Sequence, residues 1–257
     1  MSNPHGSFIW YELISKDPDA SKEFYDDVVG WNIGQKAAGD IDYRMISAPD
    51  GNIGGVLRLT DEMREHGARP VWLGYFGVDN VDDTVAKVAA SGGKVLMPAW
   101  NIPNVGRIAM VTDPQSIPFY VTRGASDGTS TAFGRMTMGH VSWNELKTPD
   151  QDAALAFYGS IFGIVKSGAM QMGELGDYTF LQHGDAGIGA MMTNPPGGGP
   201  PGWGFYFRVP DIESAKSRIS KAGGTVTQEP MEVPGGEMVL NAVDPHGATF
   251  GLVAPGK

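Results

Sequence analysis

The feature that most constrains this chain is a repeat that runs almost its full length. With an offset of 133, residues 10–30 fall on residues 143–163, and Trp10, Glu12, Leu13, Asp17, Asp19, Ala20, Phe24, Tyr25 and Gly30 find identical partners. With an offset of 131, residues 72–119 fall on 203–250, where Trp72, Tyr75, Phe76, Val78, Gly92, Gly93, Val95, Pro103, Asp113, Pro114 and Phe119 recur. Between these blocks Asp42-Tyr43 answers Asp177-Tyr178, and Ile53-Gly54 answers Ile188-Gly189. Self-similarity on this scale means that one folding unit is built twice. The segment 125–137 (ASDGTSTAFGRMT), small and polar, reads as the linker between copies 1–124 and 138–257.

Each copy divides again. Residues 8–15 are aromatic and β-branched, as in a strand. Asp17-Pro18 is a helix start, with a side-chain acceptor for the orphan amides and a proline at the first turn. Ala20, Phe24 and Val28 give that helix an apolar face and Gly30 ends it. Strands are expected at 31–35, 43–48 and 52–59, and the order β-α-β-β-β recurs with strand 71–78, helix 81–91 and strands 94–98, 107–112 and 119–122. Residues 60–70 and 193–202 divide the modules, the latter containing NPPGGGPPG, which suits neither helix nor strand. The expectation is an α+β protein of four βαβββ modules, at about 8–59, 71–122, 138–192 and 203–253, with curved mixed sheets around a cavity.

Composition narrows the chemistry. No cysteine is present, which removes disulfides, thiolate metal sites and thiol nucleophiles together. The formal charge of −10 is spread evenly, 11 basic and 16 acidic groups in 1–124 against 8 and 13 beyond, so no basic stripe offers itself to nucleic acid. The N-terminus does not read as a signal peptide and no apolar run is long enough to cross a membrane, so a cytoplasmic protein is expected. Because each copy holds two modules, pairing can be completed in one chain, and a monomer or weak dimer is expected.

The phrases Trp10-x-Glu12-Leu13, Asp17, Phe24-Tyr25, Gly30-Trp31 and Val78-Asp79-Asn80, Gly92-Gly93-x-Val95, Asp113-Pro114, Phe119 resemble the opening and closing modules of the vicinal-oxygen-chelate superfamily, in its bacterial tandem-domain subgroup. That superfamily includes glyoxalases, bleomycin-resistance proteins and dioxygenases, so the resemblance implies a fold more firmly than an activity. In members that use a metal, His and Glu from the opening and closing strands of paired modules supply four ligands. The resemblance puts those positions at Trp10 and Trp143, at about Leu73 and Gly204, and at Tyr120 and Gly251; the strands 53–59 and 188–192 hold no carboxylate. Indole and aliphatic groups do not ligate divalent ions, so neither a metal nor another cofactor is expected. The five histidines are scattered, and only His140 borders a strand face.

What remains is a cavity rimmed by other groups. Residues two apart on a strand share a face, so Glu12 accompanies Trp10 and Glu145 accompanies Trp143, each a candidate general base or acid. Tyr43 and Tyr178, with Trp100, Asn104, Arg107, Tyr120 and Met192, complete the candidate ligand-binding set, Arg107 as the anchor for an anion. The leading expectation is a metal-independent protein that binds a small aromatic or anionic molecule. The alternatives are a glyoxalase-type lyase, isomerase or dioxygenase-like enzyme with an unconventional metal site, and an interaction protein with vestigial cavities.

Overall fold

The computed structural model describes residues 3–37 and 39–256. Its first half runs β1 (Ser7–Ser15), α1 (Pro18–Val28), β2 (Asn32–Ile33), β3 (Tyr43–Ala48), β4 (Gly51–Arg58), α2 (Asp61–Glu65), β5 (Val71–Gly77), α3 (Val81–Ala90), β6 (Lys94–Ile102), β7 (Gly106–Thr112) and β8 (Pro118–Gly124). The second half repeats the order with β9 (Val141–Thr148), α4 (Gln151–Phe162), β10 (Ile164–Gln171), a 3-10 turn (Gly173–Leu175), β11 (Asp177–His183), β12 (Ala186–Thr193), β13 (Gly202–Arg208), α5 (Ile212–Lys221), β14 (Thr225–Val233), β15 (Glu237–Val243) and β16 (Thr249–Ala254). Each half forms one eight-stranded mixed sheet, ordered β2-β3-β4-β1-β5-β8-β7-β6 and β10-β11-β12-β9-β13-β16-β15-β14. These are the expected four modules in two tandem domains.

Local chemistry sets the helix ends. Asp17 accepts from the amides of Asp19 and Ala20, Asn80 from Asp83, Asp150 from Ala153 and Asp211 from Ser214, which satisfies donors that a helix start leaves orphaned. Gly163 closes α4 in the left-handed region at φ 71°, where a side chain would be strained. Two expectations need correction and a third gains detail. The buried residues of α1 are Pro18, Ser21, Phe24, Tyr25 and Val28, with Ala20 only half-buried. The strand expected over 31–35 shrinks to two residues, because Trp31 turns inward and donates its indole N–H to the carbonyl of Gly139 at 2.6 Å. The divider 60–70 contains α2, one turn capped by the Thr60 hydroxyl and buried on no face, so no amphipathic period announces it.

By backbone contacts the chain forms two compact units that cut across the sheets. One comprises Met1–Ile9, Gly74–Ser130 and Asn144–Trp203; the other comprises Trp10–Leu73, Thr131–Trp143 and Gly204–Lys257. Each therefore joins a module of the first half to a module of the second. In the first unit Phe76 stacks on Phe162 at 4.2 Å, and Phe119 and Tyr158 pack around them. In the second, Tyr25, Trp31, Trp72 and Phe207 make the corresponding aromatic core.

A buried hydrogen-bonded chain lies in each core. In the first unit the Trp203 indole donates to the Tyr158 hydroxyl at 3.1 Å, and that hydroxyl donates to Asp113 Oδ2 at 3.2 Å. Asp113 Oδ1 accepts from the amides of Gln115 and Ile117, at 2.9 Å each. In the second, Trp72 donates to Tyr25 at 2.9 Å and Tyr25 to Asp244 Oδ2 at 3.1 Å, while Asp244 Oδ1 accepts from His246 and Ala248. Burial, reinforced by the neighbouring carboxylate, pushes both phenols well above the ordinary tyrosine range. Burial also raises Asp113 despite its hydrogen-bond donors. The most visible repeated residues, Tyr25, Trp72, Asp113 and their partners, thus hold modules of opposite halves together.

Candidate functional site

In the second compact unit the candidates of the first module lie on β1 and β3, the strands that flank β4. Parallel pairing of β1 with β4 sets Glu12 beside Gly55, and antiparallel pairing of β3 with β4 sets Met45 beside the same glycine. The Tyr43 ring lies over Gly55 so closely that a Cβ there would overlap its Cζ and hydroxyl. In that seat the Tyr43 hydroxyl accepts from the Trp10 indole at 2.8 Å. Glu12 is only 2% exposed and Trp10 is half-buried. Trp10 and Tyr43 are therefore bonded to one another with Glu12 buried beside Gly55, an arrangement that residue 55 permits by having no side chain.

The equivalent residues in the first compact unit are arranged differently. Ala190 stands where the repeat has Gly55, and is paired with Glu145. Tyr178 takes another seat and donates to Glu145 Oε2 at 2.8 Å, with Lys147 Nζ at 3.9 Å from the other oxygen. Met192 pairs with Tyr178 across β11 and β12 and is half-buried.

The second modules diverge more. In the first copy Tyr75 and Tyr120, paired on β5 and β8, stack at 4.3 Å with their planes 21° apart. In the second copy Gly251 replaces Tyr120, and Tyr206 lies flat against that glycine. Trp100 is half-buried on β6 opposite Ile108. Asn104 is exposed at the tip of the β6–β7 hairpin with φ 62°, a turn position that asparagine tolerates. Both edges of the Arg107 guanidinium are engaged: Nε and Nη2 donate to the two oxygens of Asp82 on α3 at 2.7 Å, and Nη1 to Asn101. Arg107 therefore ties a strand to a helix, and its donors are engaged there rather than turned to an anion as expected. The Asp82 carboxyl is held below its usual range by that same hydrogen bonding.

Sequence reasoning missed the polar centre of the second compact unit. Arg208, 2% exposed at the end of β13, donates through Nη1 to Glu237 at 2.5 Å, to the carbonyl of Arg135 at 3.2 Å and to the Ser142 hydroxyl at 3.5 Å. Ser142 also donates to the Arg135 carbonyl, and the Arg135 guanidinium sits over the Trp143 ring, 5.1 Å from its centre. His140, which borders the start of β9 as expected, is held between the Thr131 carbonyl and Asp50, at 2.5 and 2.6 Å. A polar cleft of about 360 Å3 opens at the start of α4, between Asp150, Lys166, Asp177 and Thr193. Gln151 there bridges the Asp177 carbonyl and Thr193.

The model of the Glyoxalase/Bleomycin resistance protein/Dioxygenase superfamily matches residues 7–119 and 137–252. The protein named "Putative glyoxylase CFP32" of Mycobacterium tuberculosis (strain CDC 1551 / Oshkosh) is 32% identical over 248 residues, covering 96% of this chain and 94% of its own. Anthracycline biosynthesis protein DnrV of Streptomyces peucetius is 28% identical over 263 residues, covering 96% and 93%. Among solved structures, the Mn(II)-bound glyoxalase of Novosphingobium aromaticivorans superposes with a TM-score of 0.65 at 18% identity, covering 98% of this chain and 82% of that one. The likeness raises the question of a metal here. Trp10, Trp143, Tyr120 and Gly251 stand at positions where the resemblance expects ligands, and among the described residues no group of three or more His, Asp or Glu is placed to hold an ion. No helix among the described residues is long and apolar enough to cross a membrane.

Proposed function

The chain belongs to the glyoxalase/bleomycin resistance protein/dioxygenase superfamily, and for this member we propose metal-independent binding of a small planar aromatic molecule. The observation that carries the reading is the hydrogen-bonded Trp10–Tyr43 pair, with Glu12 buried two residues along the same strand, at a place where metal-using relatives need ligands. Indole and phenol rings supply large rigid contact area at low entropic cost, and one carboxylate fixes orientation by accepting a hydrogen bond. The relative named for anthracycline biosynthesis supports a planar aromatic ligand. Sequestration of such a molecule needs only this shape and these faces.

Titration of tryptophan fluorescence with planar polycyclic phenols and quinones tests the reading. Saturable quenching is expected, weakened about tenfold or more by Trp10→Ala, which removes a ring contact of about 1.5 kcal/mol or more. Ligands that bind the wild type and Trp10→Ala equally refute it.

A second reading, proton abstraction by Glu145 or Glu12, is favoured by the Tyr178–Glu145 hydrogen bond, which sets a phenol donor beside a candidate base. Solvent-deuterium exchange into the α-carbon of an added ketone, abolished by Glu145→Gln or Glu12→Gln, is its expected signature.

A further inference from the structure

We propose that the second half carries a carboxylate-binding site built on Arg208, Ser142, Glu237 and the linker's Arg135. This rests on the reading of the protein as a small-molecule binder and names the acidic class of ligand for a different set of residues. Among the described residues, the hydrogen bonds of the Arg208 guanidinium run through Nη1. Its Nε is sealed from solvent and has no acceptor there. The Nε–Nη2 edge is one that can hold a carboxylate by two parallel hydrogen bonds. A buried donor without an acceptor costs free energy that a ligand oxygen would recover.

Charge supports the assignment. Arg208 and Glu237 cancel, the latter with its side chain 26% exposed. Arg135, whose backbone carbonyl accepts from Arg208, carries its own guanidinium over the Trp143 ring, next in the chain to Ser142, and so adds positive charge at the edge of the group. The repeat shows that the arrangement is special to this half. Arg208 replaces Gly77, Glu237 replaces Gly106 and Ser142 replaces Ile9. In the first half a Cβ on Gly77 would already press on the Ile9 side chain at 3.0 Å, so hydrocarbon fills the place. Paired substitution of two glycines by an arginine and a glutamate builds a charge pair where the other copy has none. A carboxylate on Arg208 competes with Glu237 for the same cation, which yields a test of opposite sign to simple damage.

Calorimetric titration of the full chain with benzoate, and with benzamide as its neutral isostere, decides the matter. Benzoate is expected to bind at least about tenfold more tightly than benzamide, and Arg208→Lys, which keeps the charge but loses the fork, to weaken benzoate about tenfold. Glu237→Gln is expected to tighten benzoate several-fold, and Arg135→Ala to weaken it, with both variants folded by circular dichroism. Equal binding of benzoate and benzamide, or benzoate affinity unchanged or reduced in Glu237→Gln, overturns the proposal. If Arg208→Lys does not fold, the direction of the Glu237→Gln effect settles the question by itself. Planar neutral ligands that bind while benzoate shows no preference would sink this inference and leave the proposed function intact; absence of both kinds of binding sinks both.

Discussion

Replacing Tyr158 by phenylalanine removes one oxygen from the middle of a buried chain. The Trp203 indole loses its acceptor at 3.1 Å and Asp113 Oδ2 loses a donor at 3.2 Å, in surroundings where Tyr158 is fully buried and Asp113 is 1% exposed. A hydrogen bond to a charged group contributes about 1.5–3 kcal/mol, and an orphaned buried donor costs about 1–3 kcal/mol. Since the two losses share one hydroxyl and the site can relax, about 3 kcal/mol is expected in total. For a chain of this size that lowers Tm by roughly 6–12 °C. Urea unfolding followed by far-ultraviolet dichroism, with an unchanged slope, reads the free energy directly. Tyr25→Phe should behave alike, because Trp72 and Asp244 repeat the geometry. Trp203→Phe combined with Tyr158→Phe should be non-additive by about 1 kcal/mol. A loss below about 0.5 kcal/mol, or strict additivity with Trp203→Phe, would refute the view that these repeated residues fasten the modules.

Other predictions follow from single contacts. Hydrogen bonds from Arg44, then from Arg58, hold the buried Asp42 carboxyl below its usual range, so its stabilisation is complete above about pH 4 and is lost as pH falls through the lowered value. Asp42→Asn should therefore cost about 3 kcal/mol at neutral pH and flatten the acid limb of the stability curve; an unaltered limb contradicts the assignment. The raised tyrosines act at the other extreme: above about pH 10 the unfolded chain releases phenol protons that the folded chain retains, so stability falls with rising pH, and Tyr25→Phe should reduce that slope. Gly55→Ala should evict Tyr43 from its seat, break the Trp10 bond and cost about 1–3 kcal/mol by overpacking, seen as a shift in tryptophan emission; an unchanged spectrum and stability would mean that the glycine is incidental.

Much of this was legible before the structure. Period-two alternation with parallel pairing puts Trp10 and Glu12 on one face, and helix caps such as Asp17 and Asn80 announce themselves locally. The face of Arg107 was not legible, because β6 and β7 shift register twice, between Val95 and Met97 and again before Trp100, and no alternation pattern records such shifts. Nor does local sequence say that Tyr25 finds its acceptor 219 residues away in Asp244. Arg208 and Glu237 had a signal that only the repeat displays: two positions that are glycine in one copy are oppositely charged in the other.

The central claim, aromatic ligand binding without a metal, is tested most directly by one calorimetric series. A planar aromatic ligand is titrated into protein stripped with EDTA, then into the same protein supplied with Mn(II), Zn(II) or Ni(II). Equal affinity in all states is predicted, with Tm unmoved by the chelator, because Trp10, Trp143, Tyr120 and Gly251 offer no ligand set. Binding that vanishes in EDTA and returns with one of these ions would contradict it.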